Sequence, residues 1–117
     1  MIPSKFPFLE NEFDGKRALV TGGTAGIGKA VVTRLLDGGA MVITTARTKS
    51  NVDENAKLKI VQSDLSTSEG CTSVVREVLS HYDGIDILVN VLGASAAPSG
   101  GFMKLSDEEW QKELNIN

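Results

Sequence analysis

The chain has 117 residues, 41% of them hydrophobic and 23% charged, with twelve Lys and Arg against fifteen Asp and Glu for a net charge of −3. That make-up is one soluble globular domain or less than one. The acidic balance and scattered bases exclude nucleic acid and anionic membrane surfaces as partners, and no segment approaches the ~18 apolar residues of a membrane span.

Met1 to Asp14 is expected to be an irregular arm, with Phe6, Phe8 and Phe13 packing onto the rest. It lacks the apolar run of about seven or more residues that a secretory signal needs. Residues 15–117 then read as a single α/β unit, opened by the turn Asp14-Gly15. A strand from Arg17 delivers its carboxyl end to the turn Thr21-Gly22-Gly23-Thr24-Ala25-Gly26-Ile27-Gly28, and a helix follows at once. A helix amino terminus carries unpartnered N–H groups and the positive end of the macrodipole, so it holds an anion wherever backbone can approach. Gly22, Gly26 and Gly28 permit that approach or supply positive φ, and no charged side chain sits in the turn. The turn is therefore expected to hold phosphate through backbone amides.

The helix after it should bury Ile27, Ala30, Val31 and Leu35 and end at Gly38-Gly39. Met41 to Thr45 is β-branched and mostly apolar, as suits a strand covered on both faces. A polar linker leads to a short third strand, Leu58 to Gln62, and Ser66-Thr67-Ser68-Glu69 has capping-box spacing for a second helix. Val74, Val75, Val78, Leu79 and Tyr82 form its apolar stripe. The single cysteine, Cys71, is a small residue in that helix's first turn; it cannot make an internal disulfide, which fits a reducing, cytoplasmic compartment. The only histidine, His81, is read as a helix-end residue without catalytic role. Ile85 to Asn90 is the fourth strand.

Four strands separated by helices or linkers, without hairpin signals, imply parallel pairing through right-handed crossovers. The expected architecture is a Rossmann-type doubly wound parallel sheet of strand order 3-2-1-4. Ligands bind at the carboxyl ends of such strands where the order reverses. Those ends carry the glycine turn, Ala46-Arg47, Asp64-Leu65 and Asn90-Val91-Leu92-Gly93. Beyond a loop from Ala94 to Lys104 expected at the mouth of the cleft, Ser106 and Glu109 form a capping box, Leu105 staples Trp110, and Trp110, Leu114 and Asn117 share a helix face.

The spacing Thr21-Gly22-x-x-x-Gly26-x-Gly28, with Asp64-Leu65 and Asn90-x-x-Gly93 at the next strand ends, resembles the short-chain dehydrogenase/reductase family from Lys16 to Asn117. The resemblance implies an oxidoreductase acting on a small carbonyl or alcohol substrate, commonly as a homodimer or homotetramer. It assigns pyrophosphate and adenosine ribose to Gly22, Thr24, Ala25, Gly26, Ile27 and Gly28, and adenine to Asp64 and Leu65. Asn90, Val91, Leu92 and Gly93 fall on the ribose side of the nicotinamide, and Asn117 on a position that braces a water near the catalytic lysine. The family's Asn-Asn-Ala-Gly is here Asn90-Val91-Leu92-Gly93, so the second asparagine's hydrogen bonds are missing.

An acid at the end of strand two selects a free ribose 2′-hydroxyl, whereas an arginine accommodates a 2′-phosphate. Arg47 without an acid favours NADP, with NAD as the other option, although Ala25 stands where many NADP-preferring relatives carry a second base. The family's hydride chemistry also needs a Tyr-x-x-x-Lys pair and a serine. The lone tyrosine, Tyr82, has Asp86 four residues on. The chain is therefore expected to be the amino-terminal part of a longer enzyme, inactive alone, with strand four left as an exposed edge. A cofactor-binding or sensory module without chemistry is the alternative, and a methyltransferase with a related sheet is a weaker third.

Overall fold

A computed structural model describes residues 9–94 and 97–117. Phe6 and Phe8, expected to pack on the domain, lie outside the described residues. The elements run β1 (Arg17–Thr21), α1 (Gly26–Asp37), β2 (Met41–Ala46), β3 (Leu58–Gln62), α2 (Ser68–Tyr82), β4 (Ile87–Asn90) and α3 (Asp107–Ile116), with a 3₁₀ turn at Phe102–Lys104 before α3. The four strands make one sheet of order β3-β2-β1-β4. All three pairings are parallel, as the alternation of strand and crossover requires.

Alternation along the central strands divides the core between the two faces of the sheet. Ala18, Val20 and Val42 point to one side and pack with Val32 and Leu35 of α1. Leu19 and Ile43 point to the other and pack with Val74 and Val78 of α2. Phe13 closes the edge of the first layer: its amide donates to the Gly38 carbonyl at 2.7 Å, and its ring lies under that glycine.

The two helices are rotated relative to the stripes their apolar spacing suggests. In α1 the buried residues are Gly28, Val32 and Leu35, while Ile27 is 76% exposed and Ala30 is exposed as well. In α2 they are Gly70, Val74 and Val78, with Val75 and Leu79 exposed. In both cases a glycine in the first turn brings the helix against neighbouring backbone, and that contact sets the rotation. The cap of α2 also falls one residue later than expected, at Thr67, whose hydroxyl accepts from the Gly70 amide at 3.0 Å. Ser66 belongs instead to the preceding turn, where its amide and hydroxyl both donate to the Asp64 carboxylate. The α3 capping box between Ser106 and Glu109 forms as expected. Trp110 finds its aromatic partner in Phe102, edge to face at 5.6 Å.

At the amino ends of the strands, Asp86 fastens β1 and the approach to β4 to each other. Its carboxylate accepts from the Arg17 amide at 2.8 Å and from the Arg17 guanidinium at 3.1 and 3.2 Å. The same guanidinium caps α2 by donating to the Tyr82 carbonyl at 2.8 Å. These hydrogen bonds from Arg17 pull the Asp86 carboxyl from an ordinary 3.8 down to about 2. A folded-state pKa below the unfolded one gives stability that is present above pH ~4 and lost as pH falls toward 2. Acid unfolding of Asp86→Asn, followed by circular dichroism, should therefore show a shallower pH dependence between about 4 and 2 than wild type.

Candidate functional site

The strand ends converge as the topology requires, since Thr21 is in register with Asn90 and Ala46 with Gln62. The glycine turn leaves β1 at their centre. Gly22 and Gly26 have φ of +70° and +55°, the left-handed region that favours glycine. Gly28 is needed for space instead: a Cβ there would lie 2.0 Å from the Gly22 carbonyl oxygen.

Two threonines on β2 fix the turn. The Thr45 hydroxyl accepts from the Gly22 amide at 3.0 Å. Thr44, 1% exposed, accepts from the Gly23 amide at 2.8 Å and donates to the Val20 carbonyl at 2.6 Å. The Gly22 and Gly23 amides are thus committed to protein. α1 has neither a side-chain cap nor an acid in its first turn, an arrangement that leaves first-turn amides available to an anion. Gly23 is a site residue the spacing did not single out; a Cβ on it would stand 2.1 Å from the Thr44 hydroxyl.

On the β4 side the Thr21 hydroxyl accepts from the amides of Val91 and Leu92 at 3.1 and 3.3 Å. That pair of bonds braces the segment in which the second asparagine is absent. Leu92 lies over Gly22, its Cδ1 placed 3.3 Å from where a Cβ would be, and Val91 packs against the first core layer. Asn90 is exposed at the strand end. Asn117 reaches back from α3 to this segment. Its Oδ1 accepts from the Ala94 amide at 3.0 Å, and its Nδ2 donates to the Ala94 carbonyl at 2.7 Å and to the Glu113 carbonyl at 3.0 Å. A Cβ on Gly93 would sit 3.1 Å from the same Oδ1.

On the β3 side Asp64 accepts from the Ser66 hydroxyl at 2.6 Å and the Ser66 amide at 3.0 Å. These two bonds, with a smaller contribution from the Arg47 charge, hold its carboxyl below the ordinary range. Leu65 turns its side chain to the second core layer, so only its backbone is at the strand end.

The end of β2 opens into a cleft of about 630 Å³ shared with the turn. Thr24, Ala46 and Arg47 line it, and among the described residues no carboxylate does, Glu54 lying in the adjoining hollow with Lys49 and Ser50. Tyr82 and His81 lie elsewhere, beside Leu58 and Lys59 at the start of β3. Burial raises the Tyr82 hydroxyl pKa, the wrong direction for a base.

Residues 16–117 match the family model of the short chain dehydrogenases. The chain is 36% identical over 119 residues to the uncharacterized oxidoreductase YvaG of Bacillus subtilis (strain 168), covering 93% of this chain and 43% of that protein. It is 34% identical over 118 residues to the 3-oxoacyl-acyl-carrier-protein reductase FabG of Aquifex aeolicus (strain VF5), with 93% and 47% covered. Among solved structures it is similar to a short chain dehydrogenase from Leptospira borgpetersenii with bound NAD+, at a TM-score of 0.72 and 25% identity over 99% of this chain and 44% of that one. The chain spans a little under half the length of these relatives.

Proposed function

The chain belongs to the short chain dehydrogenase family of oxidoreductases, and from that premise we propose that it forms the cofactor-binding part of an NADP(H)-dependent enzyme that reduces small carbonyls or oxidises alcohols. The observation that carries the cofactor choice is Arg47 in an acid-free cleft beside the glycine turn. An acid there would repel a 2′-phosphate, and a guanidinium pairs with it through two parallel hydrogen bonds.

The other residues fit a dinucleotide laid across the strand ends. In this reading the first-turn amides of α1, Gly26, Ile27 and Gly28, hold the pyrophosphate, and Thr24 and Ala25 border it. A Cβ at Gly26 would meet nothing within 4 Å, so the turn is open on that side. Asp64, kept ionised by Ser66, accepts from the adenine amino group, with the Leu65 backbone alongside. Val91, Leu92 and Gly93 border the nicotinamide ribose, and Leu92 shields Gly22 from water. Asn90 completes that border at the end of β4. Asn117 acts as a positioning residue, holding Gly93 and Ala94 in place through its side-chain amide. When bound, the dinucleotide supplies or accepts the hydride.

The proton chemistry of this reading falls to a Tyr-x-x-x-Lys and a serine in the remainder of a full-length protein, which we expect to assemble as a cytoplasmic dimer or tetramer. Arg47→Ala in that protein should weaken NADPH binding about tenfold or more, the scale of a charge-assisted bond, while NADH changes less than about twofold. Calorimetric titration of both cofactors checks this, and equal losses for the two would overturn the NADP preference.

A further inference from the structure

β3 ends the sheet, with β2 as its one neighbour among the described strands. The Val42 amide donates to the Lys57 carbonyl at 2.7 Å, and the Ser63 amide donates to the Ala46 carbonyl at 2.9 Å. Backbone groups alternate along a strand, so Lys57, Lys59, Val61 and Ser63 face β2. Leu58, Ile60 and Gln62 therefore turn their N–H and C=O groups outward, a row that an added strand can pair with.

The linker before β3 folds back over part of that row. Asn55 makes an antiparallel bridge to Leu58: its amide donates to the Leu58 carbonyl at 3.0 Å, and its Oδ1 accepts from the Leu58 amide at 3.0 Å. Glu54 covers the next position, its Oε1 accepting from the Ile60 amide at 2.8 Å. Glu54 is exposed, so water would solvate its carboxylate without this bond. Its placement acts on the edge instead. A carboxylate there fills the donor that an incoming strand needs and sets negative charge against that strand's carbonyl oxygens. Among the described residues no acceptor meets the outward Gln62 amide.

We infer that Glu54 guards the β3 edge against pairing with β3 of a second copy of this chain, and so confines self-assembly to other faces. A second copy is the strand that fits. In an antiparallel pair with its two-fold axis at Val61, Ile60 lies opposite Gln62 of the second copy and Gln62 opposite its Ile60. Both are hydrogen-bonded pairs, four backbone bonds in all. Lys59 then faces Ser63 of the second copy, so no like charges oppose each other. The Leu58–Asn55 bridge lies outside the pairs and stays intact. Such a contact is isologous and closes at two copies.

The test is sedimentation of the full-length protein and its Glu54→Ala, Glu54→Gln and Glu54→Ala/Ile60→Pro variants across a range of concentrations, with thermal midpoints for each. Glu54→Ala should form a concentration-dependent species of twice the wild-type mass. Glu54→Gln keeps a side-chain acceptor and should stay at the wild-type mass. Proline at Ile60 removes the outward N–H, which an edge strand tolerates, and should return the double variant to the wild-type mass. A folded Glu54→Ala that never doubles, a glutamine variant that doubles with it, or doubling that survives the proline would each overturn the guard. Amide exchange in the wild type tests the same bond without any variant. After correction for intrinsic rates, the Ile60 amide should exchange about tenfold more slowly than the uncapped Gln62 amide, and equal rates would contradict the inference.

Discussion

Gly28→Ala should cost about 3 kcal/mol of folding stability, the upper end of what an overpacked methyl costs. The reason is space rather than backbone conformation. A Cβ on Gly28 would lie 2.0 Å from the Gly22 carbonyl oxygen and 2.9 Å from the Gly23 Cα. Both neighbours are backbone, and both are fixed by Thr45 and Thr44. The strain can be relieved only by moving α1 away from the turn, which also pulls the first-turn amides off any phosphate. Gly26→Ala is the matched control. Its Cβ would meet nothing within 4 Å, and its φ of +55° adds strain of only about 1–2 kcal/mol. Denaturant unfolding should rank Gly28→Ala as the more damaging variant. Equal losses would mean that the close approach of helix to turn is not what Gly28 provides.

Thr44→Val is nearly isosteric and should still destabilise by about 1–3 kcal/mol, because it strands a buried donor. The Gly23 amide has the Thr44 hydroxyl as its acceptor, and the site is closed to water, with Thr44 1% exposed. The Val20 carbonyl loses a donor in the same change. The gain from an added methyl is smaller, near 0.8 kcal/mol. Thr44→Ser keeps the hydroxyl and gives up the methyl, so its unfolding midpoint should lie above that of the valine variant. The reverse order would show that Thr44 matters through packing alone.

Strand order and the convergence of the strand ends are legible in the chain because both follow from strong local signals. The apolar runs at 17–21, 41–46 and 58–62 are separated by helical or polar stretches too long for hairpins, so parallel pairing was the remaining option. The glycine turn, Arg47, Asp64 and Gly93 then had to meet at one edge. Helix rotation could not be read the same way, because apolar spacing gives glycine no weight. Gly28 and Gly70 lie where a Cβ would collide with neighbouring backbone, and Ile27, Val75 and Leu79 face solvent. The anchoring hydroxyls were equally hidden. Thr44 and Thr45 look like ordinary strand residues, and their partners lie 21 to 24 positions away on the neighbouring strand and turn. The missing second asparagine was visible, but the brace from Thr21 to Val91 and Leu92 depends on the register of β1 against β4. Trp110 pairs edge to face with Phe102, from a loop without periodicity, a contact that the helix spacing does not reveal.

The central claim, that the turn between β1 and α1 holds the phosphates of a dinucleotide, is tested most directly by titrating NADPH into the full-length protein and its Gly28→Ala variant, with S-adenosylmethionine as a competitor. The account predicts saturable binding of one NADPH per chain, lost in the variant under conditions where it remains folded and untouched by S-adenosylmethionine. Wild-type affinity in folded Gly28→Ala, or displacement of NADPH by S-adenosylmethionine, would contradict it.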